Sequence, residues 1–286
     1  MGSCTAMITP FTEDGIDYER MGRLLDMQAE NGTQAVVIAG TTGEAATISA
    51  PEYEALLAFS ARRIAGRMKL IAGIGGNDTE ACLQKARFAA LAGADAVLMT
   101  PPYYNKTSKA GLLRHFLHVA DRAEIPLILY NVPGRTVIGI PSDVYIELAR
   151  HPNINGVKEA SGDFTLISET ISECGDSLFF WSGSDEHTVP MMALGALGVV
   201  SVASNPEPAA VAKLCRLCLA GDYAAARALH ARLVPFFRAL FIETNPIPVK
   251  AAMALRGLDS GKLRLPLTEL DETKLETLKA AMDALD

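Results

Sequence analysis

The stretch NINGVKEASGD, residues 153–163, runs an apolar strand into a cation and then breaks at Ser161-Gly162. Residues 154–157 read as buried backbone, and Lys158 stands at the C-terminal end of that run. A lysine there has two readings. In one, its stem packs along apolar surface while its head reaches solvent or pairs with a carboxylate such as Glu159. In the other, the ammonium is held in a dry pocket where it is hard to keep charged, and the neutral amine can attack a carbonyl carbon. Position alone leaves both open. It does define a format: a strand that stays apolar to its end and delivers a functional group there.

The format recurs along the chain. Strand-length apolar runs fall at 4–8, 35–39, 70–73, 96–100, 127–130, 179–182 and 199–202, which with 154–158 makes about eight. Between them, residues 18–31, 51–65, 79–92, 109–123 and 141–150 carry apolar positions at helical spacing. Ser49-Ala50-Pro51 and Pro141-Ser142-Asp143 mark starts, and Gly32, Gly66 and Gly93 mark stops. Strands alternating with helices are the sequence sign of parallel βα units, and eight is the number a closed barrel needs. After about Pro206 the alternation gives way to helix after helix without a Gly/Ser linker. The expected fold is α/β, a (β/α)8 TIM barrel at 1–222 with a C-terminal helical appendage at 223–286 packed against it.

Composition excludes several classes. The 286 residues carry a net charge of −7, with 49% hydrophobic and 21% charged residues and no lysine or arginine block, so a nucleic-acid footprint is missing. No basic segment followed by a long apolar one opens the chain and no apolar run reaches spanning length, which points to a cytoplasmic protein. The five cysteines are an odd number scattered through a long chain, which argues against a disulfide framework. Cys215 and Cys218 form a C-x-x-C pair, but inside an apolar helical stripe with Leu214 and Leu217, where they read as packing. The five histidines form no ligand pattern, and there is neither a G-x-S-x-G elbow nor a Walker loop. GIGGN at 73–77 imitates a dinucleotide fingerprint, but Asp78 stands where its last glycine would fall.

In a barrel of this kind the chemistry gathers at the C-terminal ends of the strands. Beside Lys158, those ends carry GTTGE (40–44), TPPYYN (100–105) and YNVPGR (130–135). Thr41 and Thr42 form either a capping turn or a hydroxyl pair that holds a carboxylate. Tyr103, Tyr104 and Tyr130 either shuttle protons beside an imine or satisfy one another in the core. Arg135 offers a bidentate fork for a second carboxylate.

Taken together, GTTGE, TPPYYN, YNVPGRT, GVKEASGD and NPIPVK resemble the pyruvate-dependent class I aldolases, and within them the dihydrodipicolinate synthase family. The likeness covers essentially the whole chain, from AMITPF to LRLPLT. It implies condensation of pyruvate with L-aspartate 4-semialdehyde in lysine and diaminopimelate biosynthesis, by a homotetramer built as a dimer of tight dimers, with no metal or organic cofactor. By motif, Lys158 would carry the Schiff base, Tyr130 would donate and accept protons, Thr41 would relay them, and Tyr104 would complete the relay from the adjacent subunit. Thr42 and the backbone at Val200 would hold pyruvate, and Arg135 the carboxylate of the semialdehyde. N-acetylneuraminate lyase-like relatives typically read GSTGE and lack the arginine, so Thr41 and Arg135 favour the synthase. Sugar-acid and 4-hydroxy-2-oxoglutarate aldolases remain the alternative, with a catalytically silent binding barrel behind them. Lysine-inhibited members gather polar groups and a glutamate near the position of Tyr103. Here that region keeps Asn77 and Tyr103 but reads Ala45, Ala46, Ala50, Tyr53 and Ala81, which implies weak or absent inhibition by lysine.

Overall fold

The computed structural model describes residues 2–285; Met1 and Asp286, the outer limits of the expected two-part division, lie outside the described residues. Eight parallel strands close into a barrel in sequence order: β1 (Gly2–Ala6), β2 (Ala35–Ile38), β3 (Lys69–Gly73), β4 (Ala96–Met99), β5 (Leu127–Asn131), β6 (Ile154–Glu159), β7 (Phe179–Ser182) and β8 (Gly198–Ser201). The helices are α1 (Tyr18–Glu30), α2 (Ala50–Ile64), α3 (Thr79–Leu91), α4 (Lys109–Ala120), α5 (Pro133–Thr136), α6 (Ser142–Leu148), α7 (Phe164–Cys174), α8 (Thr188–Ala193), α9 (Pro208–Leu219), α10 (Tyr223–Ala239), α11 (Ile247–Leu255) and α12 (Glu272–Asp283). The molecule is a TIM barrel carrying additional C-terminal helices.

Strands covered on both faces read as continuous apolar runs because every residue is buried. In β2, Val36 and Ile38 pack outward against the helices while Val37 points into the barrel with Leu98 and Val200. The helix starts follow local chemistry. Ser49 and Glu52 exchange side-chain and backbone hydrogen bonds in a capping box that opens α2, and Asp78 and Asp163 cap α3 and α7. Gly32, Gly66 and Gly93 all have positive φ just beyond helix ends. α8 spans only six residues, too short to show a period in sequence.

Two strands sit earlier than their apolar runs indicate, for the same reason. The run at 4–8 becomes β1 at Gly2–Ala6 because the amide of Ile8 donates to Asn205 Oδ1 at 3.0 Å instead of to a neighbouring strand. The run at 199–202 becomes β8 at Gly198–Ser201 because the amide of Val202 donates to Asp185 Oδ2 at 3.1 Å. In each case a buried side chain from a distant part of the chain ends the ladder.

Beyond the barrel, α10 packs on α9 and α12, and α11 packs on α12. Cys215 and Cys218 are buried free thiols within α9, and burial pushes Cys215 up to about 12. No helix among the described residues is long and apolar enough to cross a membrane.

His115 of α4 is 5% exposed, with Nδ1 2.8 Å from Thr79 Oγ1. Burial lowers it to about 4, against an opposing contact with the Thr100 backbone. The folded protein therefore keeps this ring neutral, while the unfolded chain takes up a proton near 6.5. This contribution to stability is complete above that value and is lost as pH falls toward 4. Urea unfolding at pH 7 and pH 5 should show wild type losing about 2 kcal/mol more than His115→Gln. Equal losses in the two proteins would remove His115 as the cause.

Candidate active site

β5 and β6 pair with Tyr130 opposite Lys158. Paired residues of parallel strands face the same side, and here both face into the barrel. Lys158 Nζ lies 4.1 Å from the centre of the Tyr130 ring, with the two residues 5% and 7% exposed. Glu159 points the other way. Its carboxylate accepts from Asn131 Nδ2 at 3.2 and 3.0 Å, from Tyr145 OH at 2.8 Å and from the Ser161 amide at 2.7 Å. It is satisfied on the outer face, so the Lys158–Glu159 pair that the sequence left open does not form. Among the described residues, Lys158 Nζ has no hydrogen-bond or ion-pair partner.

The barrel interior around this amine is apolar, formed by Cys4, Val37, Leu98, Ile128 and Val200. Burial pushes the Cys4 thiol up to about 12, against the opposing charge of Lys158, so it stays protonated. Gly183, just after β7, makes room for the lysine stem. A Cβ there would come within 2.7 Å of Ala160 Cβ and 3.2 Å of Lys158 Cε. Next to it, Asp185 accepts from Ser201 Oγ and from the amides of Val202 and Ala203, both at 3.1 Å. Burial pushes its carboxyl above the ordinary value, and those donors, with Lys158, pull it back.

The amine opens onto a cleft of about 490 Å³. Thr41, Arg135, Asn77 and Tyr103 line it together with Tyr130 and Lys158. Thr42 is buried behind Thr41, and its hydroxyl accepts from Asn245 Nδ2 at 3.0 Å. The Arg135 guanidinium donates to the carbonyl of Asn245 at 2.8 Å, which fixes one nitrogen and leaves the rest of the fork at the cleft. Val200 sits lower, paired with Cys4 in the β1–β8 ladder. Tyr104 is set apart: 90% exposed, with φ +68, outside the cleft wall. In the region of Asn77 and Tyr103, Ala45, Ala46 and Ala81 line the cleft, and the Lys85 ammonium lies 5.6 Å from the Tyr53 ring. No group of three or more His, Cys, Asp or Glu among the described residues is placed to hold a metal ion.

One wall comes from a segment to which the motifs assigned no role. Thr244, Asn245 and Pro246 reach the cleft from the C-terminal helices. Behind them, Lys250 of α11 is fully buried and ion-paired with Glu44 at 2.8 Å. Burial lowers Lys250 and Glu44 opposes that shift. The available signal was a lone lysine in the apolar helix PVKAAMAL, with no polar face to carry it.

Comparison with known proteins accords with this geometry. The sequence profile of the Dihydrodipicolinate synthetase family matches residues 1–285. The chain is 46% identical over 283 residues to the 4-hydroxy-tetrahydrodipicolinate synthase of Aquifex aeolicus, an overlap of 97% of this chain and 96% of the relative. It superposes on the crystal structure of dihydrodipicolinate synthase from Aquifex aeolicus with a TM-score of 0.98 at 44% identity, covering 99% and 97% of the two chains. A chloride-inhibited dihydrodipicolinate synthase from Acinetobacter baumannii, complexed with pyruvate, matches with a TM-score of 0.97 at 39% identity, covering 99% and 98%.

Proposed function

Because the chain belongs to the dihydrodipicolinate synthetase family, we propose that it condenses pyruvate with L-aspartate 4-semialdehyde to 4-hydroxy-tetrahydrodipicolinate through an imine on Lys158. The observation that carries this reading is the unpaired Lys158 amine against the Tyr130 ring, inside an apolar barrel and open to a cleft. An amine in that setting needs no metal, since the protonated imine it forms is itself the electron sink.

The chemistry then runs as follows. The Lys158 amine attacks the ketone carbon of pyruvate, whose carboxylate is held at Thr42 and the Val200 backbone. The carbinolamine loses water, with Tyr130 supplying and removing protons and Thr41 and Tyr104 passing them on. Loss of a methyl proton gives the enamine, which adds to the aldehyde carbon of the second substrate. The amino group of that substrate displaces Lys158 by transimination, which closes the ring and frees the enzyme. One water is released overall. Arg135 receives the semialdehyde carboxylate, and holding both partners in one dry cleft supplies proximity. This division of labour assigns catalysis to 1–222 and a supporting wall to the helices of 223–286.

The paired assay is pyruvate trapping followed by an aldehyde panel. Pyruvate with borohydride should leave a reduced adduct on Lys158 by mass spectrometry, and turnover should prefer aspartate semialdehyde over sugar-acid and sialic-acid substrates. Arg135→Ala should trap pyruvate nearly as wild type does while the semialdehyde step weakens by about 1.5–3 kcal/mol. An unlabelled Lys158 would favour the binding barrel, and equal damage to both steps would remove Arg135 from its role.

The assembly proposed is a homotetramer of two tight dimers, with Tyr104 crossing into its neighbour's site. Its support is a tyrosine held at positive φ with its side chain 90% exposed and, among the described residues, without a side-chain hydrogen bond or ring contact. Sedimentation should show a tetramer, and Tyr104→Phe should keep assembly while lowering kcat; a fully active monomer contradicts it. Five unpaired, buried cysteines fit a cytoplasmic location.

Lysine feedback is proposed to be weak or absent. Ala81 stands where the effector's ammonium needs a carboxylate, and Lys85 brings a like charge to the same wall. Titration with lysine at millimolar concentration should leave turnover largely intact; strong inhibition would overturn this.

A further inference from the structure

We infer that Lys250 and Glu44, both outside the motif-derived roles, are positioning residues that hold the Thr41-Thr42 turn in register for the pyruvate step. The inference rests on the function proposed above for that turn. It starts from a fully buried ammonium whose three hydrogens are all used: Lys250 Nζ donates to Glu44 Oε1 at 2.8 Å, to the Thr9 carbonyl at 2.9 Å and to the Lys262 carbonyl. Its fourth neighbour is the face of Phe11, 4.3 Å away. No polar capacity is left over for a ligand.

The carboxylate end is equally committed. Glu44 Oε2 accepts from the Arg264 amide at 3.0 Å, and the Glu44 amide donates to the Thr41 carbonyl at 3.1 Å. Glu44 has φ +56, a conformation costly for a side-chain-bearing residue and kept only where the surroundings demand it. The turn it closes is pinned from both sides. Thr9 Oγ1 donates to the Gly43 carbonyl at 2.7 Å, and Asn245 Nδ2 donates to Thr42 Oγ1 at 3.0 Å. Lys250 bonds the carbonyl of that same Thr9, so one ammonium ties the segment that follows β1, the turn and the C-terminal segment together.

Stability alone is a poor account of such a pair. A buried ion pair often stabilises no better than a well-packed apolar pair of the same volume, because desolvating both charges offsets their attraction. What it supplies here is fixed geometry: an apolar contact would tolerate sliding of the turn, whereas three donors and two acceptors with defined directions do not. A displacement of Thr41 and Thr42 by about 1 Å is enough to cost rate when reacting groups must stay in near-attack positions.

The test uses the intact assembly and the variants Glu44→Gln, Lys250→Met and the double variant. Glu44→Gln removes the carboxylate charge while keeping the shape and an oxygen acceptor for Lys250. Without pyruvate, its amide exchange at residues 43–45 should quicken by about tenfold while β5 and β6 keep wild-type protection. With pyruvate, kcat/KM for pyruvate and the rate of borohydride trapping should fall by about tenfold, while KM for the semialdehyde stays within about twofold. The double variant, in which neither member of the pair carries a charge, should regain thermal stability over Lys250→Met but not the pyruvate step. Wild-type exchange and wild-type pyruvate kinetics in Glu44→Gln, or full recovery of the pyruvate step in the double variant, would overturn the inference. If wild type itself traps no pyruvate, the functional reading fails instead, and the exchange measurement still decides whether the pair orders the turn.

Discussion

In a parallel sheet closed on itself, residues paired across neighbouring strands face the same side, and Tyr130 and Lys158 are such a pair. That register sets the amine over the phenol ring. It also turns Glu159 outward, where four hydrogen bonds hold its carboxylate away from the lysine. A slip of one residue would exchange the two, putting the carboxylate inside and the amine among the helices. The site thus depends on a backbone constraint before any side-chain chemistry begins. The interior around Cys4, Val37, Leu98 and Val200 excludes water from one side, and the glycine at 183 leaves space for the lysine stem.

The rim is built differently from the barrel interior. It is made of turns, and turns need outside support because their backbone groups are not held in ladders. The support comes from the other end of the chain: Asn245 on Thr42 and Arg135, Lys250 on Glu44, and Arg264 on Glu52 at 2.9 Å. Burying charges for that purpose is expensive unless every donor and acceptor is met, and here Lys250 meets three. The C-terminal helices are therefore part of the cleft's construction. Asp185 plays a similar part at β8, taking the amides of Val202 and Ala203 and ending the strand beneath the cleft.

Barrel and rim divide the chemical task. Interior residues surround the Lys158 amine with apolar side chains and, among the described residues, give it no hydrogen-bond or ion-pair partner. Rim residues, Arg135 and Thr41 among them, form the wall of the cleft above it. The exposed, positive-φ Tyr104 belongs to neither group within one chain.

The sequence by itself determined the barrel and most of its rim. Strands buried on both faces must be apolar throughout, helices must carry their stripe and caps, and the functional groups must stand where strands end, so these features are local and readable in order. Lys158, Tyr130, Thr41 and Arg135 could be picked out for that reason. The tertiary structure decided what depends on groups far apart in the chain. Asn205 and Asp185 moved the ends of β1 and β8, Glu159 found partners away from Lys158, and Asn245 and Lys250 crossed some 200 residues to reach Thr42 and Glu44. A hydrogen bond between distant residues leaves no period or spacing behind; the trace it left here was one lysine in an apolar helix, whose partner only the folded chain could name.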